Sequence, residues 1–323
     1  MRIVFAGTPE AAVPSLRALA GSPHEVVAVV TRPDAPAGRG KRLTASPVAV
    51  AAQELGIEVL KPAHPRDEDF VERLTRLAPD VCAVVAYGAL VPEHVLAIPA
   101  HGWVNLHFSL LPAWRGAAPV QRALVSGDTV TGVTTFRLVP ALDAGPVYRQ
   151  LRVPVGEEET AGELLDRLAR IGADVLVDTM ADIEAGLPAV EQDEEAVTLA
   201  PKVEVGDARL DWSAPAGHLV RVVRGTSPHP GAWTLFEGRR FKVLAARADD
   251  PAVSGPHPGP LVPGQIEADA RHLWAGTGDG ALELVRVQGF GKKAMSGADW
   301  ARGTRPAPGA RFDDPAGDGQ GRQ

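Results

Sequence analysis

Residues 2–31 read RIVFAGTPEAAVPSLRALAGSPHEVVAVVT, and this stretch decides the fold class. Arg2 to Ala6 is a short apolar strand, and Gly7-Thr8-Pro9 makes the turn that follows. From Ala11 to Leu19 the apolar residues recur at helical spacing. Glu25 to Thr31 is a second strand, and its unbroken VVAVV centre predicts burial on both faces. Strand, helix and strand in this order predict a Rossmann-like, doubly wound, mostly parallel sheet. The first turn carries one glycine rather than GxGxxG, so a nicotinamide cofactor is not expected.

Further along the chain the alternation continues. A helix is predicted from Ser46 to Leu55, ended by Gly56, then a short strand from Ile57 to Leu60. Asp67 to Leu77 is a helix with its acids at the start, where the macrodipole favours them. Val81 to Ala86 is a buried strand running into Tyr87-Gly88. Strands follow at Gly132 to Val139 and Val147 to Pro154. Thr160 to Ile183 is a long helix, with Thr160 and Glu163 spaced as a capping box. Glu191 to Gly206 is charged and turn-rich, as an interdomain linker would be. After a helix from Ala214 to Arg224 come five short strand-like runs between Ala232 and Val287, punctuated by Gly238, Gly264 and Gly280, which predict a small β-barrel. The expected domains are therefore 1–190, a linker at 191–206, and 207–303. Residues 304–323, rich in Gly, Pro and Asp, are expected to be a disordered tail.

With 323 residues, 45% of them hydrophobic, the chain can bury two cores. Its one cysteine, Cys82, lies in an apolar run and cannot form an internal disulfide. The nine histidines are scattered, so no metal site is expected. No signal peptide and no membrane-length apolar run is read, and a monomeric cytoplasmic protein is expected. The net charge is −7, but unevenly spread: residues 1–200 hold 17 Lys and Arg against 26 Asp and Glu, and residues 201–323 hold 16 against 14. Either this is ordinary variation between domains, or the second domain meets phosphates through local patches.

Candidate chemistry sits in residues 104–145, VNLHFSLLPAWRGAAPVQRALVSGDTVTGVTTFRLVPALDAG. Along a strand, Asn105 and His107 share one face while Val104 and Leu106 share the other. Pro112 ends the strand, and a short helix starts near Pro119. Asp143 lies on a turn, with Gly145 available for a positive φ. An amide can donate to a developing oxyanion, a histidine can move protons, and a carboxylate can orient the imidazole. No serine or cysteine is placed as a nucleophile, so the attacking group would come from the substrate. By itself a histidine at a strand end can equally be structural.

Asn105-Leu106-His107-Phe108-Ser109-Leu110-Leu111-Pro112, Trp114-Arg115-Gly116-Ala117-Ala118-Pro119, Gly132-Val133-Thr134 and Leu142-Asp143-Ala144-Gly145 together resemble the formyltransferases that use 10-formyltetrahydrofolate. The resemblance runs from Phe5-Ala6-Gly7-Thr8-Pro9 to Gly291-Lys292-Lys293-Ala294-Met295-Ser296. One departure is Phe108, where many relatives have a small residue or proline. The resemblance implies that Asn105, His107 and Asp143 are catalytic. It implies that Ala86, Tyr87 and Gly88 border the folate pterin, and that Ser109, Leu110, Leu111 and Pro112 line the folate pocket. It also implies an OB-like second domain. The loop Arg32 to Thr44 carries Arg39, Lys41 and Arg42 among prolines and glycines. It is either a solvated loop or one that orders on a phosphate backbone. Arg39-Gly40-Lys41 matches the members of the family that formylate the methionine on initiator tRNA, with Lys292 and Lys293 as further tRNA contacts. The rivals are a formyltransferase for a small amine, such as an amino sugar nucleotide, and a tRNA-binding protein without catalysis.

Overall fold

A computed structural model describes residues 1–37, 42–248 and 260–313. The chain divides into two compact units. The first comprises Met1–Pro119, Val130–Val155 and Glu163–Pro201; the second comprises Val120–Thr129, Gly156–Gly162 and the chain from Lys202 onward.

The first unit is built on a seven-stranded sheet. Its strands are β1 (Arg2–Gly7), β2 (Glu25–Val30), β5 (Val59–Leu60), β6 (Val81–Val85), β7 (Trp103–His107), β8 (Val130–Arg137) and β9 (Val147–Pro154). They lie in the order β5-β2-β1-β6-β7-β8-β9. The first five run parallel, whereas β8 and β9 are antiparallel to their neighbours. Strand order reverses direction at β1, as the doubly wound reading requires. All five residues of β6 are buried, which is why its sequence is continuously apolar. Helix α1 (Val13–Ala20) and helix α2 (Pro47–Glu54) pack on the β1–β2 side. Ser46 caps α2, its Oγ accepting from the Ala49 N–H at 3.0 Å. Helix α3 (Glu68–Leu77) turns Phe70, Leu74 and Leu77 into a core shared with Val4, Val84, Tyr87 and Trp103. Helix α6 (Ala161–Glu184) covers β7, where Gly172 leaves room for the Leu106 side chain.

Two short elements carry no readable pattern in the sequence. Helix α4 (Glu93–Leu96) is a single turn, and the basic loop contains a two-stranded hairpin, β3 (Ala35–Ala37) with β4 (Arg42–Thr44).

The second unit contains α7 (Ala216–Gly225) and an antiparallel half-barrel of β10 (Trp233–Phe236), β11 (Arg239–Ala248), β12 (Ile266–Ala268), β13 (Leu273–Gly276), β14 (Ala281–Gln288) and β15 (Met295–Ser296), followed by α8 (Gly297–Thr304). The unit also takes in α5 (Pro119–Ser126) almost whole. Val125 packs on its core, and Arg221 Nε donates to the Val125 carbonyl at 3.2 Å. Arg224 donates in the same way to the carbonyls of Glu159 and Gly156, at 3.0 and 2.7 Å. A cut at one linker would miss these excursions, because they are joined by packing rather than by sequence.

The expected disordered tail is corrected over 305–313. Phe312 is only 3% exposed and stacks on Trp212 at 5.3 Å, and the Phe312 N–H donates to the Gly264 carbonyl at 2.8 Å. One aromatic ring closing the core outweighs the turn-forming composition around it. Residues 314–323 lie outside the described part. No helix among the described residues is long and apolar enough to cross a membrane.

Candidate active site

Strand β7 carries Asn105 and, at its last position, His107. Phe136 pairs with Asn105 across the antiparallel neighbour, and its ring stands edge-on to the His107 ring at 6.3 Å and 89°. The Asn105 side chain is half-buried, and its carboxamide takes no hydrogen-bond partner among the described residues. His107 is 6% exposed. Its Nε2 lies 2.8 Å from the Trp114 carbonyl oxygen. A carbonyl only accepts, so Nε2 carries the proton and Nδ1 is the basic nitrogen of the neutral ring. Nδ1 lies 3.9 Å from Asp143 Oδ2, too far for a hydrogen bond but close enough for a strong charge interaction once the ring is protonated. Burial lowers the His107 pKa below its ordinary value, with Asp143 and the Trp114 carbonyl pulling the other way. The resting imidazole is therefore neutral near pH 7.

Asp143 reaches this position through backbone geometry. It has φ +46°, in the left-handed region, at a cost of about 1–2 kcal/mol for a residue with a Cβ. Gly145, expected to supply the positive φ, is needed for another reason: a Cβ there would lie 1.8 Å from the Arg137 carbonyl oxygen. Asp143 Oδ2 accepts from the Gly116 N–H at 2.8 Å. Gly116 has φ +124°, and a Cβ on it would meet the Ala200 oxygen at 2.7 Å, so no other residue fits this turn.

The Ser109–Pro112 turn is pinned from β8 and β9. Thr134 Oγ1 donates to the Ser109 carbonyl at 2.7 Å and accepts from the Leu111 N–H at 3.1 Å; Gln150 Nε2 donates to the Leu111 carbonyl at 2.5 Å. The Ser109 hydroxyl donates to the Ala113 carbonyl at 2.6 Å, so it serves the turn itself. Phe108, the departure noted above, is buried beside it.

The end of β6 turns sharply, with Ala86 at φ +47° and Gly88 at φ +81°. The Tyr87 side chain packs into the core with Val95 and Trp103, and burial raises its hydroxyl pKa against the opposing pull of Arg32. Its carbonyl accepts from Thr8 Oγ1 at 2.8 Å. Beyond Gly88 opens a cleft of ≈ 560 Å³, lined by Gly88–Glu93, Pro140, His64, Arg66 and Arg32. That volume suits a small organic ligand. Ser109–Pro112 does not line this cleft, so the expected folate contacts fall at two places on the first unit.

Among the expected tRNA contacts, Arg39 and Lys41 lie outside the described residues. Arg42 contributes its backbone to β4. Lys292 and Lys293, on the second unit, are exposed. Beside them stands Phe290, 67% exposed, with the Arg239 guanidinium 5.8 Å from its ring centroid. Arg240 and Arg209 lie over Trp233 at 4.3 and 5.5 Å. These aromatic–arginine pairs leave no signal in the sequence, since the partners come from different strands and loops. Trp114, Gly116 and Thr134 fall within the motifs that carry the resemblance, but their roles, like that of Gln150, are not readable there, because they act through backbone atoms or cross-strand bonds that carry no spacing signal.

The first family model that matches is "Formyl transferase", over residues 1–180, and the second is "Formyl transferase, C-terminal domain", over 202–305. A methionyl-tRNA formyltransferase of Streptomyces coelicolor is 59% identical over 316 residues, 97% of this chain and 100% of the relative. One from Thermobifida fusca is 56% identical over 315 residues, again 97% and 100%. Among solved structures, HypX from Aquifex aeolicus in complex with tetrahydrofolic acid superposes with TM-score 0.63 at 18% identity, over 95% of this chain and 48% of that one. The sugar 3N-formyltransferase WlaRD, crystallised with dTDP and 5-N-formyl-THF, gives TM-score 0.66 at 14% identity, over 91% and 99%. Both agree in fold, and the sequence relatives decide the group: this chain belongs to the formyltransferase family, among the methionyl-tRNA formyltransferases.

Proposed function

We infer that the chain transfers the formyl group of 10-formyltetrahydrofolate to the α-amino group of methionine on initiator tRNA, yielding N-formylmethionyl-tRNA and tetrahydrofolate. The observation that carries the catalytic assignment is the pairing of a free amide with a held imidazole. Asn105 has an uncommitted carboxamide on the same strand face as His107, whose two nitrogens face Trp114 and Asp143.

The deprotonated amine attacks the formyl carbon, and a tetrahedral centre with a negative oxygen forms. The Asn105 N–H donates to that oxygen, an interaction made fully only as the charge develops. His107 Nε2 donates to the Trp114 carbonyl, which fixes the ring with Nδ1 toward Asp143, and the protonated ring adds positive charge beside the oxyanion held by Asn105. The amine's proton passes, through water, to His107 Nδ1, where Asp143 stabilises the imidazolium; the tetrahedral centre then collapses, the formyl C–N10 bond breaks, and N10 takes that proton as tetrahydrofolate leaves. The folate's pterin is bordered by the backbone of residues 86–88 at the edge of the cleft beyond Gly88, and the turn at 109–112, which does not line that cleft, makes a separate contact with the ligand. Arg39, Lys41, Arg42, Lys292 and Lys293 meet tRNA phosphates, and the exposed Phe290–Arg239 pair offers a stacking surface beside the two lysines. The protein acts as a monomer in the cytoplasm.

The test is direct. The purified chain is supplied with 10-formyltetrahydrofolate and either charged initiator tRNA or an amino sugar nucleotide. Formylated methionyl-tRNA is expected, with no formylated sugar; the reverse outcome would hand the site to the small-amine reading.

A further inference from the structure

Residues 190–200 carry the sequence VEQDEEAVTLA, all but Val190 within the linker expected at 191–206. In the first unit this segment is stitched to both loops that meet at His107. Toward the Asp143 loop, Val190 and Val147 exchange N–H···O bonds of 2.7 and 2.8 Å, and Gln192 Nε2 donates to the carbonyls of Asp143 and Gly145, each at 2.8 Å. Toward the Trp114 loop, Thr198 Oγ1 accepts from the Trp114 N–H at 2.8 Å, the Arg115 N–H donates to the Thr198 carbonyl at 2.9 Å, and the Ala200 N–H returns to the Arg115 carbonyl at 2.7 Å.

A guanidinium ties the two halves together. Arg115 is 6% exposed, so its charge must be satisfied inside the protein. Its Nε and Nη2 donate to Gln192 Oε1 at 3.1 and 2.8 Å. Its Nη1 and Nη2 grip Glu194 at 3.2 and 2.7 Å, and this bond holds the Glu194 carboxyl below the usual carboxylate range. Gln192 is thus fixed on its oxygen side by Arg115 and uses its nitrogen side to hold the Asp143 turn. Both partners of His107 sit in the left-handed region, Asp143 at φ +46° and Trp114 at φ +64°, and each is held there by this segment.

We propose that residues 190–200 form a strap that sets both partners of His107, and that Gln192 is the positioning residue that holds Asp143 in register while Thr198 holds Trp114. This rests on the assignment of His107 and Asp143 made above. Neither Gln192 nor Thr198 touches substrate in this scheme; each acts through the group it holds. The acid is presented by its backbone, so replacing Gln192 should weaken the chemical step without weakening binding.

The experiment is a double-mutant cycle on the full chain, assayed with charged initiator tRNA and 10-formyltetrahydrofolate. Gln192→Glu keeps an acceptor for Arg115 and removes both N–H donors. Expected is a fall in kcat of roughly 10- to 100-fold, with KM for both substrates changed less than about twofold and the thermal midpoint little changed. In an Asp143→Ala background the same substitution should have no further effect, because the group it positions is gone. Thr198→Val is the second arm: a kcat loss in the wild-type background and none in His107→Ala. If Gln192→Glu folds poorly, the Thr198 arm still decides. Equal fold-losses in both backgrounds, or losses confined to KM, would overturn the strap while leaving the catalytic reading in place. Ordinary turnover in the Asp143→Ala and His107→Ala single variants would instead overturn the reading on which the strap depends.

Discussion

The strand end of the first unit and the basic face of the second handle polar groups in opposite ways. Around His107 the ring is held by Trp114, Asp143 by Gly116 and the Ser109–Pro112 turn by Thr134 and Gln150, while the Asn105 amide has no partner among the described residues. Around Lys292 and Lys293 the backbone is held, Lys292 by Gly289 and Gln288, but both lysines are exposed, beside an exposed phenylalanine with an arginine over it. The first arrangement fixes atoms to within a fraction of an ångström and suits chemistry. The second fixes charge but little geometry and suits a polyanion, whose phosphates are many and interchangeable. A substitution in the first should therefore show in kcat, and one in the second in affinity and salt dependence.

The sharpest break in that contrast would come from His107 and Asp143. Either alanine variant should lower turnover by about 10²–10⁴, the range for a positioned proton-transfer group. The double variant should be little worse than either single. Multiplicative losses would mean that the 3.9 Å approach between Nδ1 and Asp143 carries no function. Asn105→Ala comes next, at ~10²–10³ in kcat for one oxyanion donor, with folate affinity measured by titration unchanged. An equal loss of folate binding would recast the amide as a ligand contact.

Smaller effects belong to the second unit. Lys292→Ala and Lys293→Ala should each lower the slope of log affinity against log salt by about 0.7–0.9, which is roughly threefold in affinity between 50 and 200 mM salt. Turnover at saturating tRNA should stay put. Titrations of tRNA at several salt concentrations would check this, and identical slopes would make the lysines bystanders. The smallest effect concerns pH. His107 has a pKa lowered by burial, so below its ordinary value of 6.5 the unfolded chain binds a proton that the folded chain refuses. Its contribution to stability is complete above that value and is lost as pH falls toward the depressed one. His24, lowered by burial and by the neighbouring N-terminal amine, acts with the same sign. Thermal midpoints from pH 7 to pH 5 should fall less steeply in His107→Gln than in the wild type.

What was legible in the sequence was whatever repeats locally. Continuous apolar runs placed β1, β2 and β6, helical spacing and an acidic first turn placed α1 and α3, and short runs between glycines placed five of the six strands of the second unit, β15 excepted, since burial is written into neighbouring side chains. The side-chain chemistry of Asn105, His107 and Asp143 was legible too, because residue type alone limits what an amide, an imidazole and a carboxylate can do. The rest belonged to contacts between residues far apart in the chain. Nothing local to Asp143 says that it, rather than Gly145, adopts the left-handed conformation; that follows from the Arg137 carbonyl pressing on Gly145 and from Gln192, 49 residues away, holding the turn. Nor does the acidic run around Gln192 advertise a buried Arg115 waiting for it. Phe312 makes the same point in the second unit: a segment whose composition favours disorder is ordered because one ring fills a core that only the folded chain creates. Hydrophobic periodicity is laid down residue by residue, whereas a site is assembled from single hydrogen bonds across loops, and those exist only once the tertiary structure brings donor and acceptor together.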